Sequence, residues 1–158
     1  MAAQLDLEDI QHFLLTRTPA LAARYEFLSF ESVAAGRVWL AGLVTKVGSG
    51  QSVGTASPDA RWVTIAFTCN GLRALGVSDT LLATFPEEFR QGMAARAQIL
   101  GIVGDSGPDR WVGDLASPAL HAIVILFARD AEERDRCERQ HREYLSTLTG
   151  VNVPLATS

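Results

Sequence analysis

Apolar residues recur along this chain with two periods, two and about 3.6, and the changes between them divide it into elements. "RWVTIAFT" (61–68) sets Val63, Ile65 and Phe67 against Trp62, Thr64 and Ala66, the alternation of a strand. "HAIVILFA" (121–128) is the clearest strand, with Ile123, Ile125 and Phe127 on one face and Ala122, Val124 and Leu126 on the other. "RYEFLSF" (24–30) is aromatic-rich and bounded by Ala and Ser, which suits a third strand. A short "VNVPL" (151–155) predicts a closing one. Helical spacing appears over 31–44, through Val33, Val38, Leu40 and Leu43 with Gly36 as a weak point. It returns over the charged stretch 130–150, which Gly150 is placed to stop.

Between the second and third strands lies an insertion. "NGLRALG" and "SDTLLATF" predict short helical pieces, and "TFPEEFRQGMAARAQILG" (84–101) predicts one longer helix. Thr84 and Glu87 have the spacing of a capping box, Pro86 suits the first turn, and Gly101 suits the C-cap. Phe85, Phe89, Met93 and Leu100, with Ala97, fall near one face, so the segment is expected to dock on the core. Irregular loops are predicted at 46–60 and 101–118, and a turn or short helix at "LEDIQHFLL" (7–15).

The order strand, helix, strand, helical insertion, strand, helix, strand predicts an α+β, ferredoxin-like fold. It is a split βαβ antiparallel sheet with helices on one face, formed by residues 1–158 as a single domain. An antiparallel sheet with one face in water alternates apolar and polar positions. "HAIVILFA" is apolar on both faces, so the face away from the helices is expected to find a second protein layer.

Composition narrows the function classes. With 158 residues, 47% hydrophobic and 20% charged, the chain can bury one real core. A net charge of −4, with arginines interleaved among acids, gives no basic footprint for nucleic acid. No apolar run approaches the roughly 18–20 residues of a membrane span, and the acidic "MAAQLDLEDIQ" start is unlike a secretory signal. Two distant cysteines, Cys69 and Cys137, are expected as free thiols in a reducing compartment, and the chain as soluble and cytoplasmic.

Candidate chemistry is sparse. Cys137 and His141 lie four apart on a predicted helix and can both reach one metal ion, but two ligands do not close a site. With Tyr144 and Leu148 they read as the seam that faces the sheet. His121 opens a strand, where a base or a partly buried capping histidine are the alternatives. His12 has no assignable partner, and a Cys–His nucleophile would need an orienting third group that sequence does not show. "GIVGDSG" lacks the ending of a phosphate loop, and Asp105, Asp109 and Asp114 lack the spacing of a calcium loop. No residue is assigned as catalytic, cofactor-binding or metal-ligating.

Several stretches together resemble the N-terminal half of a dye-decolourising haem peroxidase: "LEDIQHFLL", "RYEFLSF", "ARWVTIAFTCNGLRALGV", "LLATFPEEFRQGMAARAQILG" with "GDSGPDRW", and "LHAIVILFARDAEE". The resemblance covers about residues 5–155 and implies two ferredoxin-like halves packed sheet to sheet, haem as cofactor, and peroxide-driven oxidation of dyes and phenolics. The family's Gly-x-x-Asp-Gly motif is not found in this sequence, and none of the three histidines matches its haem ligand. His12 stands where glycine is usual, and Arg110 where a histidine is usual before the Trp. The resemblance therefore implies a scaffold half that does not hold haem by itself. Its partner would be a separate C-terminal half or a second copy, joined through the sheet face. A homo-oligomer that binds haem or a small ligand, with His121 as ligand, is the alternative, and a non-catalytic interaction module another.

Overall fold

The computed structural model describes residues 5–15, 22–49, 62–112 and 115–155. In chain order its main elements are β1 (Ala22–Phe30), α1 (Val33–Leu43), β2 (Trp62–Phe67), α2 (Cys69–Ala74), α3 (Asp79–Leu82), α4 (Glu87–Ala95), β3 (Ala122–Ala128), α5 (Ala131–Ser146) and β4 (Val151–Leu155). The strands pair antiparallel in the order β2-β3-β1-β4. Helix α1 connects β1 to β2 and α5 connects β3 to β4, so the chain forms the split βαβ arrangement expected from its element order. Helices α2–α4 make up the insertion.

Alternation along the strands decides which face is core. Leu28, Phe30, Ile65, Ala122, Val124 and Leu126 point to the helices and pack with Trp39, Leu43, Leu75, Cys137 and Leu145. Register holds these positions together: Ile65 pairs with Val124, and Leu28 with Ala122. Both edges of the sheet are marked. The Gln11 side chain bonds the Ile65 backbone N–H and C=O at 3.0 and 2.7 Å along β2, and Pro154 stands in β4. Occupying or interrupting an edge ladder blocks pairing with other strands.

Helix starts follow the capping residues. Ser32 caps α1, Thr68 caps α2, Ser78 caps α3 and Asp130 caps α5, each accepting a backbone N–H three residues on. Thr68 also donates its hydroxyl to the Leu120 carbonyl at 2.7 Å, which ties α2 to the start of β3. Gly71 lies so close to the His121 carbonyl that a Cβ would collide with it.

Three sequence expectations change. The buried stripe of α1 is Gly36, Trp39 and Leu43, while Val33 and Val38 are exposed. Trp39 carries the largest apolar surface on that helix, and seating it fully in the core sets the rotation. The single helix predicted over 84–101 is interrupted. Pro86 takes the N-cap position, Thr84 gives its hydroxyl to Leu81, and Gly92 leaves helical geometry at φ 73° and ψ 172°. Beyond the break, Ala97 is buried and Gly101 closes a Schellman turn, with Ile102 N–H on the Ala97 carbonyl. Phe85, Met93 and Leu100 remain exposed, because a helix broken at Gly92 no longer presents them as one core-facing stripe. Finally, α5 ends at Ser146, and Gly150, at φ 77°, turns the chain into β4. Most of the 46–60 loop, and Asp114, lie outside the described residues.

Candidate functional site: the outer sheet face and the buried histidines

The face of the sheet turned away from the helices is built by register from Tyr25, Phe27, Thr64, Ala66, Ile123, Ile125 and Phe127. Tyr25 is 47% exposed and Ala66 is exposed, while Phe27, Ile123, Ile125 and Phe127 are half-buried. A short 3-10 turn, His12–Leu14, covers one end of this face by stacking Phe13 on Phe127 at 5.5 Å. His12 N–H donates to the Gly48 carbonyl, and the residue is buried there. What remains open is an apolar strip around Tyr25, Ile123 and Ile125.

His121 is structural. Its Nδ1 accepts the Phe30 N–H at 2.9 Å, its own N–H donates to the Leu28 carbonyl, and its carbonyl accepts from Thr68. Burial lowers its pKa below the usual 6.5. With Nδ1 accepting, the neutral ring carries its hydrogen on Nε2.

The sequence shows no partner for His141, and the structure supplies one. Glu26 of β1 accepts a hydrogen bond from Nδ1 of His141 on α5, and both side chains are 3% exposed. Alternation held the signal. Glu26 shares the buried face with Leu28 and Phe30, and an acid on that face needs a partner. Cys137 lies one turn earlier on the same buried seam as His141 and Leu145. A cavity of about 330 Å³ adjoins them, lined also by Leu43, Lys46 and Val63.

A wider cleft of about 800 Å³ lies between α4 and the segment before β3, with Phe67, Cys69, Phe89, Met93, Trp111 and Leu120 among its walls. Asp105 and Asp109 are exposed, and Arg110 pairs with Asp109 at 3.5 Å. Among the described residues no three His, Cys, Asp or Glu side chains gather as a metal site, and no helix is long and apolar enough to cross a membrane. Neither cysteine forms a disulfide.

The sequence profile of the DyP dimeric alpha+beta barrel domain matches residues 45–151. The chain belongs to that family. A fungal DyP-type peroxidase from Auricularia auricula-judae superposes with a TM-score of 0.78 at 24% identity, over 96% of this chain and 32% of that one. A dye-decolorizing peroxidase in complex with cyanide gives 0.73 at 21%, over 96% and 33%, and another in complex with 2,6-dimethoxyphenol gives 0.72 at 21%, over 94% and 33%. At these identities the likeness is one of fold. The chain spans about a third of the length of these solved relatives. No curated protein is matched.

The family implies haem, and none of the three histidines of this chain is placed to serve as its axial ligand. His121 uses Nδ1 as an acceptor, which leaves the hydrogen on the nitrogen a metal would need. His141 is packed between α5 and the sheet, where a planar macrocycle would have to part the two layers. His12 is buried at the start of the N-terminal turn.

Proposed function

We propose that this domain is the scaffold half of a haem peroxidase architecture and is not peroxidase-competent by itself. The observation that carries the reading is the open strip of Tyr25, Ile123 and Ile125 on the outer sheet face. A second α+β layer placed there would bury apolar surface that is otherwise a liability in water. The layer is either a C-terminal half of the peroxidase type or a second copy of this domain. The family's description as a dimeric barrel supports a paired arrangement. The domain then contributes packing and the outer wall of the assembly, and where the second layer is a C-terminal half, the haem ligand and peroxide-activating groups come from that half. In its family setting the haem would supply the oxidising chemistry. The residues described above hold the sheet, its helices and its edges in the shape the partner meets.

Two measurements test this. An absorbance titration of the purified chain with haem should show no saturable Soret shift and no peroxide-dependent dye oxidation. A saturable shift with turnover would overturn the scaffold reading. Light scattering should show self-association that Ile125→Lys abolishes, or binding of a C-terminal half lost in the same variant. A monodisperse monomer that binds neither partner nor apolar dye would overturn the docking face.

A further inference from the structure

The structure adds to Cys137 and His141 two things that their spacing alone does not contain. The first is an orienting group. Glu26 fixes the His141 ring through Nδ1, and the opposite nitrogen, Nε2, is buried with no hydrogen-bond partner among the described residues. A buried polar atom without a partner calls for a water or an ion. The second is space, since the adjoining cavity of about 330 Å³ reaches exposed Lys46 and Gln140 at its rim.

We infer that Cys137 and His141 form a two-donor site for a soft monovalent cation of the copper(I) class, with Glu26 as the positioning residue. The two donors lie on one face of α5, four residues apart, where side chains meet across about 5–6 Å between Cβ atoms. Thiolate ligands favour copper(I), zinc and iron–sulfur clusters, and imidazole suits copper and zinc as a second ligand, so the donor count has to decide between them. A histidine that binds metal through one nitrogen usually gives the other N–H to a carboxylate, which fixes the tautomer and raises basicity. Glu26 stands in that relation to His141. The donor count sets the charge of the ion. No third His, Cys, Asp or Glu joins the pair as a metal cluster among the described residues, so a tetrahedral divalent ion is not served. A monovalent d10 ion accepts two ligands in line, and a thiolate neutralises its charge, which a buried site requires. Binding exchanges the Cys137 thiol proton for the cation, and that proton leaves to solvent.

The test uses the full chain with Cys69→Ser, which removes the other thiol. Anaerobic titration with copper(I) against a chromophoric copper(I) chelator should show one equivalent withdrawn from the dye and a rise in thermal midpoint. Cys137→Ser should lower affinity at least a hundredfold, well beyond the change from Glu26→Gln, which should weaken it about 10–100-fold. X-ray absorption on the loaded parent should show one sulfur and one nitrogen. Failure of the parent to compete with the chelator would overturn the site and leave a buried water on Nε2. An undiminished equivalent in Cys137→Ser would overturn it as well. Far-UV circular dichroism confirms folding of each variant. If Glu26→Gln does not fold, the parent and Cys137→Ser decide the question alone.

Discussion

Glu26 on the central strand β1 and His141 on α5 form a buried hydrogen-bonded pair across the helix–sheet interface, joined over 115 residues of sequence. Two ionisable groups in an apolar interior stabilise little as a pair but cost much when separated. Glu26→Ala or His141→Ala should each lower stability by about 3 kcal/mol, because the survivor stays buried without its hydrogen-bond partner. Replacing both, as Glu26→Met with His141→Leu, should recover most of that loss or exceed the parent. Urea unfolding of the two single variants and the double variant measures it. A double variant as unstable as the sum of the singles would show that the pair is not the unit.

Tyr144 rests in the space that Gly42 leaves on α1. Its hydroxyl donates toward the Val38 and Trp39 carbonyls at 3.1 Å each, and a Cβ on Gly42 would overlap the phenol oxygen. Glycine to alanine in an exposed helix interior ordinarily gains about 1 kcal/mol. Here Gly42→Ala should instead cost about 1–3 kcal/mol through overpacking. In a Tyr144→Ala background the same change should turn favourable. A double-mutant cycle reads the reversal as a coupling between the two positions, and equal effects in both backgrounds would refute the contact.

Two groups make the fold acid-sensitive in separable windows. Burial holds the His121 pKa below 6.5, so between that value and its folded pKa the unfolded chain binds a proton that the folded chain refuses. Its stability contribution is complete above pH 6.5 and falls as pH drops below it. Glu133 is held below 4.5 by the Arg129 backbone N–H at 3.0 Å and then by the Arg129 guanidinium at 3.2 Å. Its contribution is present above pH 4.5 and is lost as pH falls through the folded pKa. His121→Asn should flatten the stability profile just below pH 6.5, and Glu133→Gln should flatten it below pH 4.5. Chemical denaturation across pH 3–8 separates them. Unchanged slopes in both variants would assign the acid sensitivity elsewhere.

The sheet was legible because its signals are local. Alternation in "RWVTIAFT" and "HAIVILFA" marks the strands, and the element order then leaves few ways to pair them. The second-layer expectation came from the same positions, Ile123 and Ile125, which the register places on the open face. The Glu26–His141 pair was missed because each residue is unremarkable in its own element and the contact is long-range. The α4 region was misread for a different reason. Cap-like residues at Thr84 and Glu87, a favourable Pro86 and a stop at Gly101 describe a helix at both ends, and nothing local requires that Gly92 break it. A glycine inside a helical pattern is a weakness of about 1 kcal/mol, and tertiary packing decides whether it is used.

That break gives the last prediction. Gly92 adopts φ 73° and ψ 172°, a region that side-chain-bearing residues avoid, and open space surrounds the position where a Cβ would stand. Any cost of Gly92→Ala therefore comes from backbone strain and none from a clash. Beyond the break, buried Ala97 and the turn at Gly101 anchor the chain, which prevents the helix from straightening to relieve the strain. Gly92→Ala should thus lower stability by about 1–3 kcal/mol with no gain in helical signal. Urea unfolding followed by far-UV circular dichroism distinguishes the cases. A variant that is more stable and more helical would mean that the segment runs as one continuous helix, with the cleft beside Phe89 and Met93 reshaped accordingly.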